Sequence, residues 1–252
     1  MTMAAGMLFN GGVVFGADTD ESLGDMKRRV HKIPTHRNQP VMITGACLNG
    51  HLMDTAVERI FDAFNPGIPK TFHAVTAKLS GIMNGLYQRE FKVYPQQDTI
   101  RMQLLVAAKP QDEAKAAIWS IDCNVVRRME SRHEIVGVGE LVQYIADHLH
   151  YGTESLENVV LEMVQLLSTA KSRVRDVGGE SYVHWLRDDG TMGFKTFRFS
   201  PETESLYEFF LTHGRMLLLA TGTEAVTDEQ FNEIAAKFIA DLKWKRARIF
   251  NK

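Results

Sequence analysis

The chain has 252 residues, enough to bury a substantial core, and 29 lysine and arginine residues nearly balance 31 aspartate and glutamate residues. That balance excludes a general electrostatic attraction to nucleic acid or to a membrane surface, and no apolar run approaches the length of a membrane span. Two cysteines, Cys47 and Cys123, give no disulfide framework, and the first residues lack the features of a signal peptide, so we expect a cytoplasmic protein.

The first predicted element is a β-hairpin. Two short apolar runs flank Asn10, Gly11 and Gly12, and an Asn-Gly pair readily supplies the positive φ angles of a tight turn. Thr2 stands before the first run, and loss of Met1 would make this threonine the first residue. It would then carry a hydroxyl nucleophile beside an α-amine that is basic enough near neutral pH to accept the hydroxyl proton.

The second run of the hairpin, residues 12–18, reads Gly-Val-Val-Phe-Gly-Ala-Asp, and Lys32 follows within Val-His-Lys-Ile. Together with Thr2, these segments resemble the catalytic β subunits of the proteasome family, the N-terminal-nucleophile hydrolases. In that family a threonine opens the first strand, an aspartate closes the second and a lysine follows on the next strand. The spacing from Thr2 to Asp18 matches without a gap, and Lys32 needs a one-residue deletion. On these residues the chain is identified as a member of the family, a homologue of bacterial-type proteasome subunits.

The resemblance implies a role for each of these residues. The Thr2 hydroxyl would attack the carbonyl carbon of a peptide, and the α-amine of the same residue would take the proton, directly or through water. Lys32 would be the nearby cation that favours the nucleophile, and Asp18 would orient it. The alternative is that Asp18 and Lys32 form only an ion pair between strands.

Residues 19–29 are polar and are expected to form a loop beside the site. The resemblance implies that this segment holds an extended substrate, so Ser22 is a candidate contact, although most loop side chains have no such role. The next strand is predicted over 40–45. There the resemblance implies that the Gly45 N–H stabilises an oxyanion; the alternative is a simple strand-to-helix turn glycine. By the same resemblance, the pocket for the residue before the cleaved bond is lined by Val30, Ile43 and Cys47.

Two amphipathic helices are predicted next, over 49–64 and 70–88, with Asn49 and Thr71 as N-caps. Their apolar stripes need no ligand to explain them. Strands are predicted over 101–107, 116–121 and 133–138.

The resemblance weakens after the last of these strands. Active family members have Gly-Ser-Gly there, whereas this chain has valine at position 138, and Val138 cannot form the hydrogen bond that serine would give to the α-amine. His148 and His150 are too close together on a predicted helix to face the same way, and no further ligand stands at a suitable spacing. We therefore predict no metal site, and the expected chemistry needs no cofactor.

A strongly periodic helix is predicted over 156–173, followed by a hairpin from 181 to 199. Between them Asp176 precedes a Gly-Gly pair, and the resemblance implies that it supports Thr2. Asp176 stands two residues closer to the glycines than in the family, and the alternative is a residue that only ends the helix. Thr227 opens a capping box for the last helix.

Together these features predict one domain with a core over 1–199 and a C-terminal extension over 200–252 packed on it. The expected fold is an α+β, four-layer αββα sandwich of two antiparallel sheets flanked by helices, the Ntn-hydrolase fold. The implied function is hydrolysis of peptides or unfolded polypeptides by a self-compartmentalising threonine protease.

The apolar stripes on the helices exceed what two sheets can cover, so we expect a large homo-oligomer of ring or lock-washer form. The alternative function is a non-catalytic proteasome-like ring or scaffold subunit, which Val138 favours. No nucleic-acid or membrane partner is expected, and the sequence identifies no unfoldase partner.

Overall fold

The structure, a computed structural model, describes residues 3–23, 26–47, 50–90, 102–137, 143, 146–147, 155–174, 177–197 and 226–250. The chain divides into two units, Met1–Arg198 and Phe199–Lys252. Over the described ranges, none of the helices is both long enough and apolar enough to cross a membrane. The packing of a C-terminal extension on the core stays a prediction.

The first unit contains antiparallel strands and three long helices in its described part. The strands are β1 Ala4–Phe9, β2 Gly12–Asp18, β3 Asp20–Leu23, β4 Met26–Arg29, β5 Val41–Cys47, β6 Met102–Ala108, β7 Ala117–Asp122, β8 Val125–Arg128, β9 His133–Val136, β10 Ser181–Arg187 and β11 Met192–Phe197. The helices are α1 Gly50–Phe64, α2 Phe72–Arg89 and α3 Leu156–Arg173.

The strands form two main sheets. A five-stranded sheet has the order β11-β10-β2-β1-β9, and a four-stranded sheet has the order β5-β6-β7-β8. Between them lies a core of buried side chains that includes Phe15 of the first sheet and Leu105 and Ile118 of the second. The two sheets therefore pack face to face through apolar side chains, and this packing supplies much of the stability of such a fold.

Helices cover the outer face of each sheet. Leu52, Ile60 and Phe64 of α1 recur at helical spacing and pack with α2 residues over the four-stranded sheet. Met163 and Leu167 of α3 pack over the outer face of the five-stranded sheet. Three separate buried clusters thus correspond to the three interfaces of four layers, and the predicted αββα sandwich, the Ntn-hydrolase fold, is confirmed.

Several predicted local signals are present. Asn10 and Gly11 connect β1 to β2, whose register pairs Phe9 with Gly12. The Thr71 hydroxyl accepts a hydrogen bond from the Ala74 N–H at 3.3 Å and caps α2. The cap explains where α2 begins, because it satisfies an N–H group of the first turn that the helix itself leaves without a partner.

The segment predicted as a loop over 19–29 instead forms a two-stranded ribbon of β3 and β4. In its register Asp20 stands opposite Arg29 and Glu21 opposite Arg28. The predicted loop was therefore wrong. The sequence of this segment has no apolar alternation that would predict strands.

Two other strand assignments also change. Lys32 follows β4 in a segment without regular strand structure, and β5 extends to Cys47 instead of ending at residue 45. The short strand β8 was not predicted, because its sequence is mostly exposed and carries only two apolar residues.

The second unit contains α4, Asp228–Phe250, in its described part. Its predicted capping box is present, because the Gln230 N–H donates to Thr227 Oγ1 at 3.3 Å and the Thr227 N–H donates to Gln230 Oε1 at 3.1 Å. The Asn49 cap and the histidines His148 and His150 lie outside the described residues. Among the residues that are described, no group of three or more His, Cys, Asp or Glu side chains could hold a metal ion.

Candidate active site

Asp18 closes β2 with a fully buried carboxylate. Its Oδ1 atom accepts a hydrogen bond from the Met3 N–H at 3.0 Å and from Lys32 Nζ at 3.1 Å. Its Oδ2 atom accepts the Gly178 N–H at 3.2 Å. Three donors from three separate parts of the chain therefore converge on one carboxylate, which compensates the cost of burying its charge.

Lys32 supplies the countercharge. Its side chain is 8% exposed and that of Asp18 is 0% exposed, so the pair is shielded from water. A charge buried to this degree needs both a partner and further hydrogen bonds, and the two backbone N–H groups on Asp18 provide the latter. The predicted pairing of Asp18 with Lys32 is therefore present as a short, buried contact.

The segment that follows α3 is fixed beside this pair. The buried Thr19 hydroxyl accepts the Glu180 N–H at 2.7 Å. Lys171, in the last turn of α3, donates to Gly179 O at 2.8 Å and to Ser181 Oγ at 2.7 Å. These bonds hold the backbone around Gly178 in the position from which its N–H reaches Asp18.

Gly45 lies inside β5, where it pairs with Leu104 of β6. A Cβ atom at Gly45 would stand 2.3 Å from the Gln103 carbonyl oxygen, far closer than atoms can approach. Glycine is therefore required for the close pairing of β5 with β6. The alternative of a turn glycine is wrong, because the strand continues to Cys47.

The edge of β5 that faces away from β6 lies against the Lys32 segment. The Ile43 N–H donates to Pro34 O at 3.0 Å across this edge, and the Thr44 hydroxyl donates to Lys32 O at 2.9 Å. Backbone groups alternate between the two edges of a strand, so the Gly45 N–H points to the same edge as that of Ile43. The predicted oxyanion donor and the predicted cation thus lie on one side of β5.

The other predicted site residues lie in different parts of the fold. Val30 is half-buried and donates its N–H to Thr19 O at 2.8 Å. Ile43 is fully buried and Cys47 partly buried in the core between the four-stranded sheet and its helices. Ser22 lies in β3 opposite Lys27 in the strand register. Three residues lie outside the described part of the chain: Thr2, Val138 and Asp176.

Sequence reasoning missed the contributions of Thr19, Lys171 and the backbone of Gly178. Backbone donors have no residue signature, so the only sequence signal for the Gly178 N–H was the Gly178-Gly179 pair to which it belongs. Thr19 directly follows Asp18, and its position at the end of a buried strand was the available signal.

Comparisons with known proteins give structural matches only: no protein-family model and no curated protein matches the chain. The Gly-1 mutant of Anbu from Hyphomicrobium sp. strain MC1 matches with a TM-score of 0.74 and 12% identity, over 86% of this chain and 96% of that one. Anbu from Yersinia bercovieri, described as an ancestral β-subunit, matches with a TM-score of 0.70 and 12% identity, over 87% and 97%. A helical assembly of the Anbu complex from Pseudomonas aeruginosa matches with a TM-score of 0.71 and 14% identity, over 86% and 95%.

These matches correct the identification made from the sequence. The chain was identified as a proteasome β-subunit homologue, but no family model supports that, and the structures above are Anbu proteins. Two residues of the motif over 12–18 have roles in packing the fold: a Cβ at Gly16 would stand 2.3 Å from the Met163 side chain of α3, and Asp18 binds the start of β1. The comparisons show that the chain has the proteasome-like fold of the Anbu structures.

Proposed function

We propose that this chain is a threonine-type peptide hydrolase in which Thr2, exposed by loss of Met1, is the nucleophile. One observation carries the proposal: Asp18 Oδ1 accepts hydrogen bonds from both Lys32 Nζ and the Met3 N–H. The Met3 nitrogen is the atom through which Met3 is bonded to Thr2. A buried cation and the backbone next to the proposed nucleophile are thus held by one carboxylate.

The proposed reaction has two stages. The Thr2 Oγ attacks the carbonyl carbon of the scissile peptide bond while its α-amine accepts the hydroxyl proton, directly or through one water. Collapse of the tetrahedral intermediate breaks the C–N bond, and the proton passes to the leaving amine. Water then attacks the ester, and the same α-amine transfers a proton so that Thr2 and a carboxylic acid are released.

The surrounding groups have separate roles in this reaction. The Lys32 ammonium stabilises negative charge that develops on the nucleophile, and Asp18 holds Lys32 in place. We assign the Gly45 N–H to the oxyanion, because it points to the edge of β5 along which Lys32 lies. Asp176 is proposed as a supporting residue near Thr2.

The substrate is proposed to be a peptide or unfolded polypeptide bound in extended form beside β3 and β5. Ser22 would contact its backbone. The pocket for the residue before the cleaved bond would be lined by Val30, Ile43 and Cys47, whose mainly apolar character favours an uncharged side chain. We propose further that the protein is cytoplasmic and forms a large ring or lock-washer homo-oligomer. The helical assembly described for Anbu from Pseudomonas aeruginosa supports this assembly.

A second candidate is a non-catalytic subunit that keeps the fold for assembly. The sequence Gly137-Val138-Gly139 favours it, because valine offers no hydrogen bond to an N-terminal amine. The two candidates differ in whether Thr2 reacts with electrophiles.

Labelling with a peptide epoxyketone, which reacts with the hydroxyl and amine of an N-terminal threonine together, tests the choice. Intact-mass measurement should first show a chain that lacks Met1, and the adduct should then map to Thr2. Thr2→Ala should take up no label, and Ser172→Ala, which changes a hydroxyl of α3, should be labelled like the wild type. A chain that keeps Met1, or a processed chain without adduct, would favour the non-catalytic subunit.

A further inference from the structure

A cavity of about 430 Å³ opens between the two sheets at the edge formed by β8 and β9. From the four-stranded sheet it is lined by Gln103 of β6, Ser120 of β7 and Arg127 of β8, and from the five-stranded sheet by Glu134 and Val136 of β9. This volume falls within the range of roughly 300 to 1,000 Å³ that is usual for sites that bind small molecules. Neither the proposed catalytic groups nor the pocket assigned above uses it.

Most of the described lining residues are polar, whereas the buried cluster between the sheets consists of apolar side chains. Ser120 is only 5% exposed, and its hydroxyl donates to Glu134 Oε1 at 2.5 Å. Arg127 Nη2 donates to the same oxygen at 2.7 Å, while Glu134 Oε2 takes part in neither bond. The Arg127 side chain is 70% exposed whereas Ser120 is buried, so these polar groups extend from solvent to the interface between the sheets.

The formal charge of the cavity is negative. Among the described lining residues, the carboxylates of Asp122, Glu134 and Asp147 outnumber the guanidinium of Arg127, which gives these residues a formal charge of −2 when His133 is neutral. His133 itself is 8% exposed and lies 2.9 Å from Asp147 through Nε2. A recessed cleft with an excess of one charge concentrates its field and attracts a ligand of the opposite sign.

One end of the cavity adjoins the candidate active site. Gln103 pairs with Ala46, the residue after Gly45, and its side chain accepts the Gly137 N–H at 3.3 Å. Val136 pairs with Ala4, the residue after Met3. The cavity therefore adjoins the strand partners of Ala46, which follows the proposed oxyanion donor, and of Ala4, which follows Met3.

We propose that this cavity is a subsite for the side chain of a lysine or arginine in a peptide bound at the candidate active site. The proposal rests on the proposed function, because the ligand is taken to be part of its substrate. Asp122 and Glu134 Oε2 supply the negative charge for the incoming cation. The guanidinium of Arg127 neutralises part of that charge while the cavity is unoccupied.

Binding is tested with the full-length Thr2→Ala protein, in which turnover does not consume the probe. The probes are fluorescein-labelled octapeptides in which one arginine moves through an alanine-serine sequence, each paired with a peptide that carries citrulline, the neutral isostere of arginine, at the same position. For at least one position the arginine peptide should bind about tenfold more tightly. Equal binding of the two peptides at every position would overturn the subsite.

Variants of opposite effect separate a subsite from a general loss of structure. Asp122→Asn should reduce the preference for arginine, whereas Arg127→Gln should increase it, because the ligand cation can then replace the missing guanidinium at Glu134. Asp112→Asn removes an exposed carboxylate outside the cavity and should leave the preference unchanged. If both cavity variants weaken binding of the arginine and citrulline peptides equally, the assignment is wrong.

The hydrolysis of the same peptides by the wild type distinguishes this proposal from the proposed function. Hydrolysis without discrimination between arginine and citrulline would remove the subsite and keep the peptidase. Selective binding of arginine peptides without hydrolysis would keep the subsite and remove the peptidase.

Discussion

At the residue scale, the buried carboxylate of Asp18 joins the start of β1, the Lys32 segment and the backbone after α3. Each contact is a hydrogen bond of 3.0 to 3.2 Å, and the carboxylate is fully buried. Removing the charge of one partner leaves the other charge without compensation in a medium of low polarity. Asp18 and Lys32 are therefore expected to contribute to stability as a pair and not as two independent residues.

Replacement of Lys32 by methionine tests this coupling. We expect Lys32→Met to lower the free energy of unfolding by about 3 to 5 kcal/mol, since it strands the Asp18 charge. The double variant Asp18→Asn with Lys32→Met should recover a large part of that loss while still failing to react with the epoxyketone. Urea unfolding measures both. If Lys32→Met alone is as stable as the wild type, the Asp18–Lys32 pair is not shielded from water as described.

His184 is a second buried polar residue with an unusual environment. It is 5% exposed, stacks on Phe194 with ring centroids 5.4 Å apart, and faces His31 at 5.2 Å. Among the described residues its Nε2 atom has no hydrogen-bond partner. Burial, and to a lesser extent the charge of His31, lowers the pKa of His184 to about 4. Folding therefore favours the neutral imidazole.

The stability that neutral His184 contributes is therefore lost in acid. This contribution to the free energy of unfolding is fully present above the ordinary pKa of 6.5 and is lost as the pH falls. At pH 4 the loss amounts to roughly 3 kcal/mol. His184→Phe, which keeps an aromatic ring, should flatten the loss of stability between pH 6.5 and 4, whereas exposed His73→Gln should not. Unfolding curves that fall equally in the wild type and His184→Phe would contradict this account.

At the element scale, the pairing of β5 with β6 depends on Gly45. A methyl group there would meet the Gln103 carbonyl oxygen at 2.3 Å, so the two strands would have to separate. We expect Gly45→Ala to destabilise the protein by about 1 to 3 kcal/mol, as overpacking does. Thermal unfolding gives the value.

Gly81 provides the matched control for this prediction. It lies in α2 with no atom near the position of a Cβ, so Gly81→Ala should stabilise the helix by about 0.5 to 1 kcal/mol. A destabilised Gly81→Ala, or a harmless Gly45→Ala, would mean that the described strand and helix geometry is incorrect.

The elements differ in how far their sequences specify them. The spacing of Leu52, Ala56, Ile60 and Phe64 predicts α1 because a helix that covers a sheet must bury one face. The ribbon of β3 and β4 has no such signature, since its register joins charged residues. A long helix with one buried face can therefore be predicted from the sequence, whereas the pairing of two short polar strands cannot.

The same contrast applies to the candidate site. The nearness of Asp18 and Lys32 followed from a family resemblance, and the structure places them in contact although the family itself was misidentified. The Gly178 N–H, by contrast, is a backbone donor, and it bonds to a residue 160 positions earlier in the chain. Contacts of that kind require the folded arrangement.

At the scale of the whole molecule, we expect the chain to assemble into a large homo-oligomer. The apolar faces of α1, α2 and α3 are buried against the sheets, contrary to the expectation that the sheets could not cover them. The helical assembly described for Anbu from Pseudomonas aeruginosa is therefore what supports the proposed homo-oligomer. Light scattering should give a mass many times that of the 28.5 kDa chain, and electron microscopy should show rings or lock-washers. A stable monomer at micromolar concentration would exclude this assembly.

The measurement that tests the central claim most directly is hydrolysis of fluorogenic peptides by the processed protein and by Thr2→Ala at matched stability and assembly state. We predict that the wild type cleaves the peptides and that Thr2→Ala lowers the rate at least a thousandfold, because the substitution removes the attacking oxygen. Equal rates for the two proteins, or no cleavage by a processed wild type that has lost Met1, would contradict this prediction.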